Sequence, residues 1–272
     1  MCFFIKKVAT NLLNTNHFGR KNGIFIGVSM PCFNRKNKLK KPSTRKILSA
    51  MKKMESIQKT ARFAGWAYFI IIITSVLSIA FGPYRLMVEN DVVKSIENIA
   101  SNQLLFRAGI VYEILMYTGV IFLSVALFEL LKQVGRGRAM AALLCRFGEA
   151  IMGFLTVIGS IITLYLVNSD FEPAFMQKNI QLIFETKDAL MAALMVFISV
   201  GSILFFQLFY QSKYIPRWLS IFGIIAFSFM LLESLILQLY PMEAWMFPGA
   251  LAIVFEIVVG LWLIIKGVKI NE

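Results

Sequence analysis

Histidine is almost missing from this chain of 272 residues, and the only one is His17. Its place in the basic N-terminal stretch excludes histidine-ligated haem, histidine–zinc sites and a serine–histidine intramembrane protease. Charge is also scarce: 16% of residues are charged, against about 25% in a typical soluble domain. The cysteines are Cys2, Cys32 and Cys145, too few and too scattered for a disulfide framework. No glycine-rich phosphate loop is present, and Gly135 and Gly137 in "GRGR" read as a turn in a basic loop. No lysine is expected in the middle of an apolar run, which argues against a retinal Schiff base. The first twenty residues lack both the sustained apolar stretch and the small-residue cleavage site of a signal peptide. A metal could be held only by carboxylates and hydroxyls, which suit hard cations, and no resident metal or cofactor is expected.

Apolar length is abundant instead. Hydrophobic residues make up 58% of the chain and phenylalanine alone occurs 25 times. A soluble core of this size could not hide so much apolar surface, so a perimeter facing lipid is required. Six runs have the length of about 20 residues that a hydrocarbon core of roughly 30 Å demands. They are Phe63–Gly82, Ala108–Leu131, Ala139–Val167, Asp188–Phe209, Leu219–Tyr240 and Pro248–Ile265. The expected fold is an all-α integral membrane bundle of about six transmembrane helices, with two short outer interfacial helices. The first of these lies in "NDVVKSIENIASNQLLFR", with Val92, Ile96, Ile99 and Gln103 at helical spacing and Asn90 or Asp91 placed to cap it. The second lies in "AFMQKNIQLIFETK", with Met176, Ile180 and Ile183 on one side. Trp66, Trp218 and Trp245 fall near span ends, where amphipathic rings sit at headgroup level.

Positive charge is concentrated at one end. Of 28 Lys/Arg, 15 lie in residues 1–62 beside a single acid, Glu55, whereas residues 63–272 carry 13 basic and 14 acidic residues. Residues 1–58 therefore read as a basic, disordered extension and residues 59–270 as the six-helix domain, with Met51 or Met54 as the expected natural start. The extension has no folded pattern or aromatic platform for nucleic acid. Anionic lipid headgroups at the basic flanks, and the bilayer itself, are the expected partners. Further basic residues cluster in "KQVGRGR", in "YQSKYIPRW" and at Lys266 and Lys269, all on the side of the tail, so both termini are expected to face the cytoplasm.

Ionisable residues nonetheless occur inside the apolar runs. In the third, Arg146, Glu149, Gly153, Thr156, Ser160 and Thr163 recur at steps of three and four, which places them on one helix face. Such a stripe of small and polar residues marks a face turned toward other helices. Arg146 and Glu149 are spaced to pair on their own helix. The second run aligns Gly109, Glu113, Tyr117, Val120 and Ser124, and the fourth Asp188, Ala192, Met195, Ser199 and Ser202. The fifth brings Glu233 beside Ser234, and the sixth aligns Gly249, Ala252, Glu256 and Gly260. Glu113, Arg146, Glu149, Glu233, Glu256, Asp188 and Tyr117 are thus the candidate lining of a polar pocket inside the bundle. The acids are expected to look toward one common interior space. No catalytic set can be assembled from them.

Several segments also resemble a known family. They are "TARFAGWAYF", "LFRAGIVYEIL", "RFGEAIMGF", "YIPRWLSIFG" and "EIVVGLWLIIKG", in that order, over roughly Thr60 to Lys269. The most specific pieces are Arg62 with Gly65 and Tyr68, Arg107 with Glu113, Ile215-Pro216-Arg217, and Glu256 with Trp262 and Gly267. The pattern resembles the bacterial multi-pass membrane family described as domain of unknown function 4386, which more often has aspartate where Glu113 stands. The resemblance implies a bacterial inner-membrane protein and brings no activity, cofactor or catalytic residue with it.

Three functions compete at this point. Four acids against one arginine favour a non-enzymatic protein whose pocket binds or passes a small cation, a proton or a polar ligand, since intramembrane ionisable residues commonly mark such sites. A membrane-embedded enzyme could instead use a glutamate as acid or base, with Arg146 on the phosphate of a lipid or isoprenoid. A structural or regulatory protein would use the charges only to hold the bundle together.

Overall fold

An apolar run in hydrocarbon has to satisfy its own backbone donors and acceptors, and a helix does so within one segment. The computed structural model of the chain describes residues 44–88, 91–240 and 246–269, and these are helical apart from short connections. The helices are α1 (Thr44–Phe81), α2 (Pro83–Leu86), α3 (Val92–Ser101), α4 (Gln103–Val167), α5 (Pro173–Ser212), α6 (Arg217–Leu239) and α7 (Met246–Ile265). Five of them are long and apolar enough to cross a membrane. The 65-residue α4 supplies two passes, because its backbone leaves helical geometry at Gly135 (φ −167°, ψ 85°). Its arms, 103–134 and 136–167, are the expected second and third runs. The break falls at Gly135, whereas Gly137 is already helical.

Each pass packs against its neighbours in the chain. α1 lies on α4, α4 on α5, α5 on α6 and α6 on α7, and α7 returns to α1. The two arms of α4 meet where the Tyr117 ring lies over Gly153. The ring of helices closes at paired glycines: a Cβ on Gly65 would stand 2.8 Å from the Gly260 carbonyl oxygen. Among the described residues α4 and α7 make no close backbone approach, so side chains fill the space between them. Large apolar side chains such as Ile70, Ile73, Phe122, Ile151, Ile158 and Phe229 point outward and are exposed. That outward apolar belt is what a bilayer requires.

Two apolar clusters pack the interior. Toward the end that carries the basic loops, the Phe206 ring of α5 meets that of Phe255 of α7 edge-on at 4.6 Å and stacks with Phe227 of α6 at 6.1 Å. At the far end Leu86, Ile99, Phe106, Val157 and Leu164 cluster beneath α3. The expected cap of α3 is Asp91, whose carboxylate accepts a hydrogen bond from Lys94 N at 2.9 Å. Ser95 and Ile99 are buried, and the Asn98 amide donates to the Leu86 carbonyl at 3.2 Å. This short helix lies across the far end of the bundle.

The second expected interfacial helix differs. Its residues are helical but continuous with the fourth pass, forming the 40-residue α5. Nothing interrupts the pattern, because no glycine or proline occurs between Pro173 and Gly201. At 1.5 Å per residue α5 is ~60 Å long and extends well beyond a hydrocarbon core. Residues 44–58, which the charge pattern assigns to the basic extension, likewise belong to α1. Residues 1–43, including His17, lie outside the described residues, as does Trp245; Trp66 and Trp218 are exposed near span ends.

Beyond α7, Gly267 adopts a left-handed conformation (φ +64°), which glycine enters without the cost of a Cβ. The turn lets Val268 use both its backbone groups on Gln58: the Gln58 amide donates to the Val268 carbonyl, and Val268 N donates to Gln58 Oε1 at 3.1 Å. Lys269 N donates to the Tyr214 carbonyl at 2.9 Å. The first and last passes are thereby tied at the basic end.

Candidate functional site

The stripe of the third run is internal throughout. Arg146, Glu149, Gly153, Thr156, Ser160 and Thr163 are all buried, as are Gly109, Glu113, Tyr117, Val120 and Ser124 of the second run. Facing arms of α4 therefore present their polar sides to each other and to the interior. The groups separate into two tiers joined by a tyrosine.

The lower tier centres on Arg146, which is 4% exposed. Its Nη1 lies 2.8 Å from Oε2 of Glu149, itself 3% exposed. The pair is a close approach of charges rather than an aligned hydrogen bond, since neither atom makes one. Room for the guanidinium stem comes from the next helix: Cγ and Cδ of Arg146 lie 3.1 and 3.2 Å from where a Cβ on Gly201 would stand. Glu256 on α7 is near enough to act electrostatically on both Arg146 and Glu149, and on the buried Tyr68 of α1. One guanidinium is thus ion-paired with Glu149 and lies within electrostatic range of a second carboxylate, Glu256, from another helix. Counted from the basic ends of the runs Ala139–Val167 and Pro248–Ile265, Arg146, Glu149 and Glu256 stand ~10–15 Å deep.

One turn further along, the Tyr117 ring lies so close over Gly153 that a Cβ there would be 2.1 Å from the ring. Tyr117 is buried, tilts against Phe154 with ring centroids 5.9 Å apart, and has Thr156 within hydrogen-bonding reach. Thr156 donates to the Gly153 carbonyl at 2.7 Å.

The upper tier contains a residue absent from the expected lining. Lys187 is 2% exposed, and its ammonium donates to Ser160 Oγ at 2.7 Å. It also acts electrostatically on Glu113, which has Ser78 of α1 within reach and whose Oε2 is buried without a hydrogen-bond partner. The Lys187 stem runs over Gly159, with Cγ 3.3 Å from the place of a Cβ there. The packing is reciprocal: α4 sends Arg146 over a glycine of α5, and α5 sends Lys187 over a glycine of α4. These groups stand ~25–33 Å from the basic ends, near the far edge of the hydrocarbon.

The expected lining, which took the fourth run from Asp188, is therefore extended by Lys187. It placed the start of the fourth span one residue too late. The buried stripe of α5 advances in sevens, through Ile180, Lys187, Leu194, Gly201 and Leu208, the repeat of helices that supercoil together. Read with that period, the sequence points to Lys187 and turns Asp188 outward. Asp188 is exposed in the structure. Glu233 is partly buried with Oε1 lacking a hydrogen-bond partner, and it makes no ion pair with Arg146. Among the described residues no three acidic side chains gather closely enough to hold a metal ion. The acids occupy two tiers instead of one common space. Tyr68 and Ser78 join them from the apolar run of α1, Phe63–Gly82, which carries no acid.

No curated protein and no solved structure matches the chain. The profile of one family, "Domain of unknown function (DUF4386)", matches residues 63–267, which takes in all six passes and both polar tiers. The chain is a multi-pass helical membrane protein and belongs to the DUF4386 family.

Proposed function

We propose that this chain is a bacterial inner-membrane protein, with both termini in the cytoplasm, whose buried carboxylates bind or pass a proton or a small monovalent cation. The basic residues at one end of the bundle support the orientation. The observation that carries the function is the buried Arg146–Glu149 ion pair, on which Glu256 of α7 also acts electrostatically. One guanidinium offsets one carboxylate, and like charges at close range disfavour joint ionisation. The second carboxylate keeps a place for a proton or a cation of single charge.

Lys187 alters the charge balance without cancelling it. Arg146 and Lys187 face Glu113, Glu149 and Glu256, and Asp188 also acts on Lys187, so among the described residues the acids around these two cations outnumber them. A purely structural network has a supporting observation of its own, the fit of both cations into glycine grooves. It does not account for the extra carboxylate. The upper-tier acid faces a lysine and a serine hydroxyl, Lys187 and Ser78.

The test is thermal unfolding of the purified protein across pH and across a panel of sodium, potassium and small ammonium ions. A ligand at a hundred times its dissociation constant stabilises by ~2.7 kcal/mol, so a dependence on pH or on one cation is expected for the wild type. Glu256→Gln should fold and lose that dependence. An equal response in wild type and variant refutes the assignment.

A further inference from the structure

We propose that the two tiers are stations on one proton path, with Tyr117 as the link between them. This rests on the reading of Glu149 and Glu256 as a proton-holding pair and adds its route. Glu113 and Tyr117 are one turn apart on the first arm of α4, and Glu149 and Gly153 are one turn apart on the second. The Tyr117 ring, one turn from Glu113 on its own arm, thus packs on the other arm one turn from Glu149. Both Glu113 and Glu149 act on it electrostatically, and Thr156 is within reach of its hydroxyl.

The surroundings suit a relay. Glu113 is faced by Lys187 from α5 and by Ser78 from α1, and its Oε2 is buried and unpartnered. Glu149 is faced by Arg146 and Glu256, and Glu256 by Arg146 and Tyr68. Phe154 packs against the Tyr117 ring and Thr156 is the hydroxyl within its reach, while the second buried phenol, Tyr68, is acted on by Glu149 and Glu256 of the lower tier. In the transfer the Glu113 carboxyl gives its proton to the phenol oxygen while the phenol gives its own to the Glu149 carboxylate. One O–H bond forms for each that breaks, and no electrons change hands. Glu113 ends as a carboxylate beside Lys187, which holds the new charge. The upper station lies just below the far end of the bundle, so the proton enters there.

Infrared spectroscopy of the whole protein in lipid nanodiscs tests the route without requiring net transport. Carboxyl bands are assigned with Glu113→Gln, Glu149→Gln and Glu256→Gln, and their exchange is timed after transfer into deuterated water. Tyr117→Phe keeps the ring and removes the hydroxyl. It should slow exchange at the lower carboxyls by about a hundredfold, the low end of what a positioned proton-transfer group contributes, and leave Glu113 unaffected. Glu113→Gln should slow the lower carboxyls in the same way. Unchanged exchange in both variants overturns the path while leaving the lower pair a proton site. A lower tier that never shows a protonated carboxyl overturns both.

Discussion

Arg146→Ala is expected to lower the unfolding free energy by about 3–5 kcal/mol, the range for removing one partner of a buried ion pair. The loss is large because the guanidinium is not replaceable from outside: Arg146 is 4% exposed and Glu149 3%. Without it, Glu149 and Glu256 face each other with no cation in the lower tier. The arginine stem also fills the groove over Gly201, so truncation leaves a void as well as stranded acids. Glu149→Gln added to Arg146→Ala should recover part of the loss by removing one acid. Reversible unfolding in mixed micelles, monitored by tryptophan fluorescence, reads all three proteins. A change below 1 kcal/mol in the single variant would show that Arg146 reaches water, and the buried lower tier would then be mistaken.

The second large effect concerns backbone approach. A Cβ on Gly109 would stand 2.1 Å from the Gly82 Cα and 2.9 Å from Cδ of Pro83. The first of these is main chain, so no side chain can swing aside to admit a methyl group. Gly109→Ala must therefore separate α1 from the first arm of α4 where α2 begins. Overpacked sites lose about 1–3 kcal/mol, and this one is expected at the upper end. The consequence should reach the upper tier, since Ser78 of α1 and Glu113 of α4 flank the crossing. The same unfolding assay checks the stability, and infrared bands assigned to Glu113 check the displacement. Wild-type stability would contradict the crossing.

Some of this architecture is legible in the chain because the bilayer enforces it. Hydrocarbon thickness fixes the length of each run, so six passes can be counted, and the basic flanks mark one end. The polar stripes of the second and third runs were readable for a related reason: leucine, isoleucine and phenylalanine occupy the lipid side so fully that Arg146, Glu149, Glu113 and Tyr117 have only one face left. The fourth run behaved otherwise. Its far end continues as helix past the hydrocarbon, so hydropathy does not mark where burial begins, and the charged neighbours Lys187 and Asp188 look alike until the period of seven is applied. Glu256 and Glu233 illustrate what pattern cannot supply. Both lie in apolar helices, yet Glu233 stands ~24 Å from the basic end of α6 and Glu256 ~14 Å from that of α7, and Glu256 acts on Arg146. That difference follows from the depth of each acid and from the order in which helices pack around the ring. The meeting of Glu256 with Arg146 depends on α1 and α7 closing at Gly65 and Gly260, a contact between distant parts of the chain.

At the centre stands the interaction of Arg146 with Glu256 across the interior, between helices whose backbones make no close approach. A double-mutant cycle measures it directly: unfolding free energies of the wild type, Arg146→Ala, Glu256→Gln and the double variant. Residues in one charged network show coupling of roughly 0.5–3 kcal/mol, and a favourable coupling of at least 1 kcal/mol is expected here. Strictly additive losses would place the two side chains out of contact and contradict the shared lower tier.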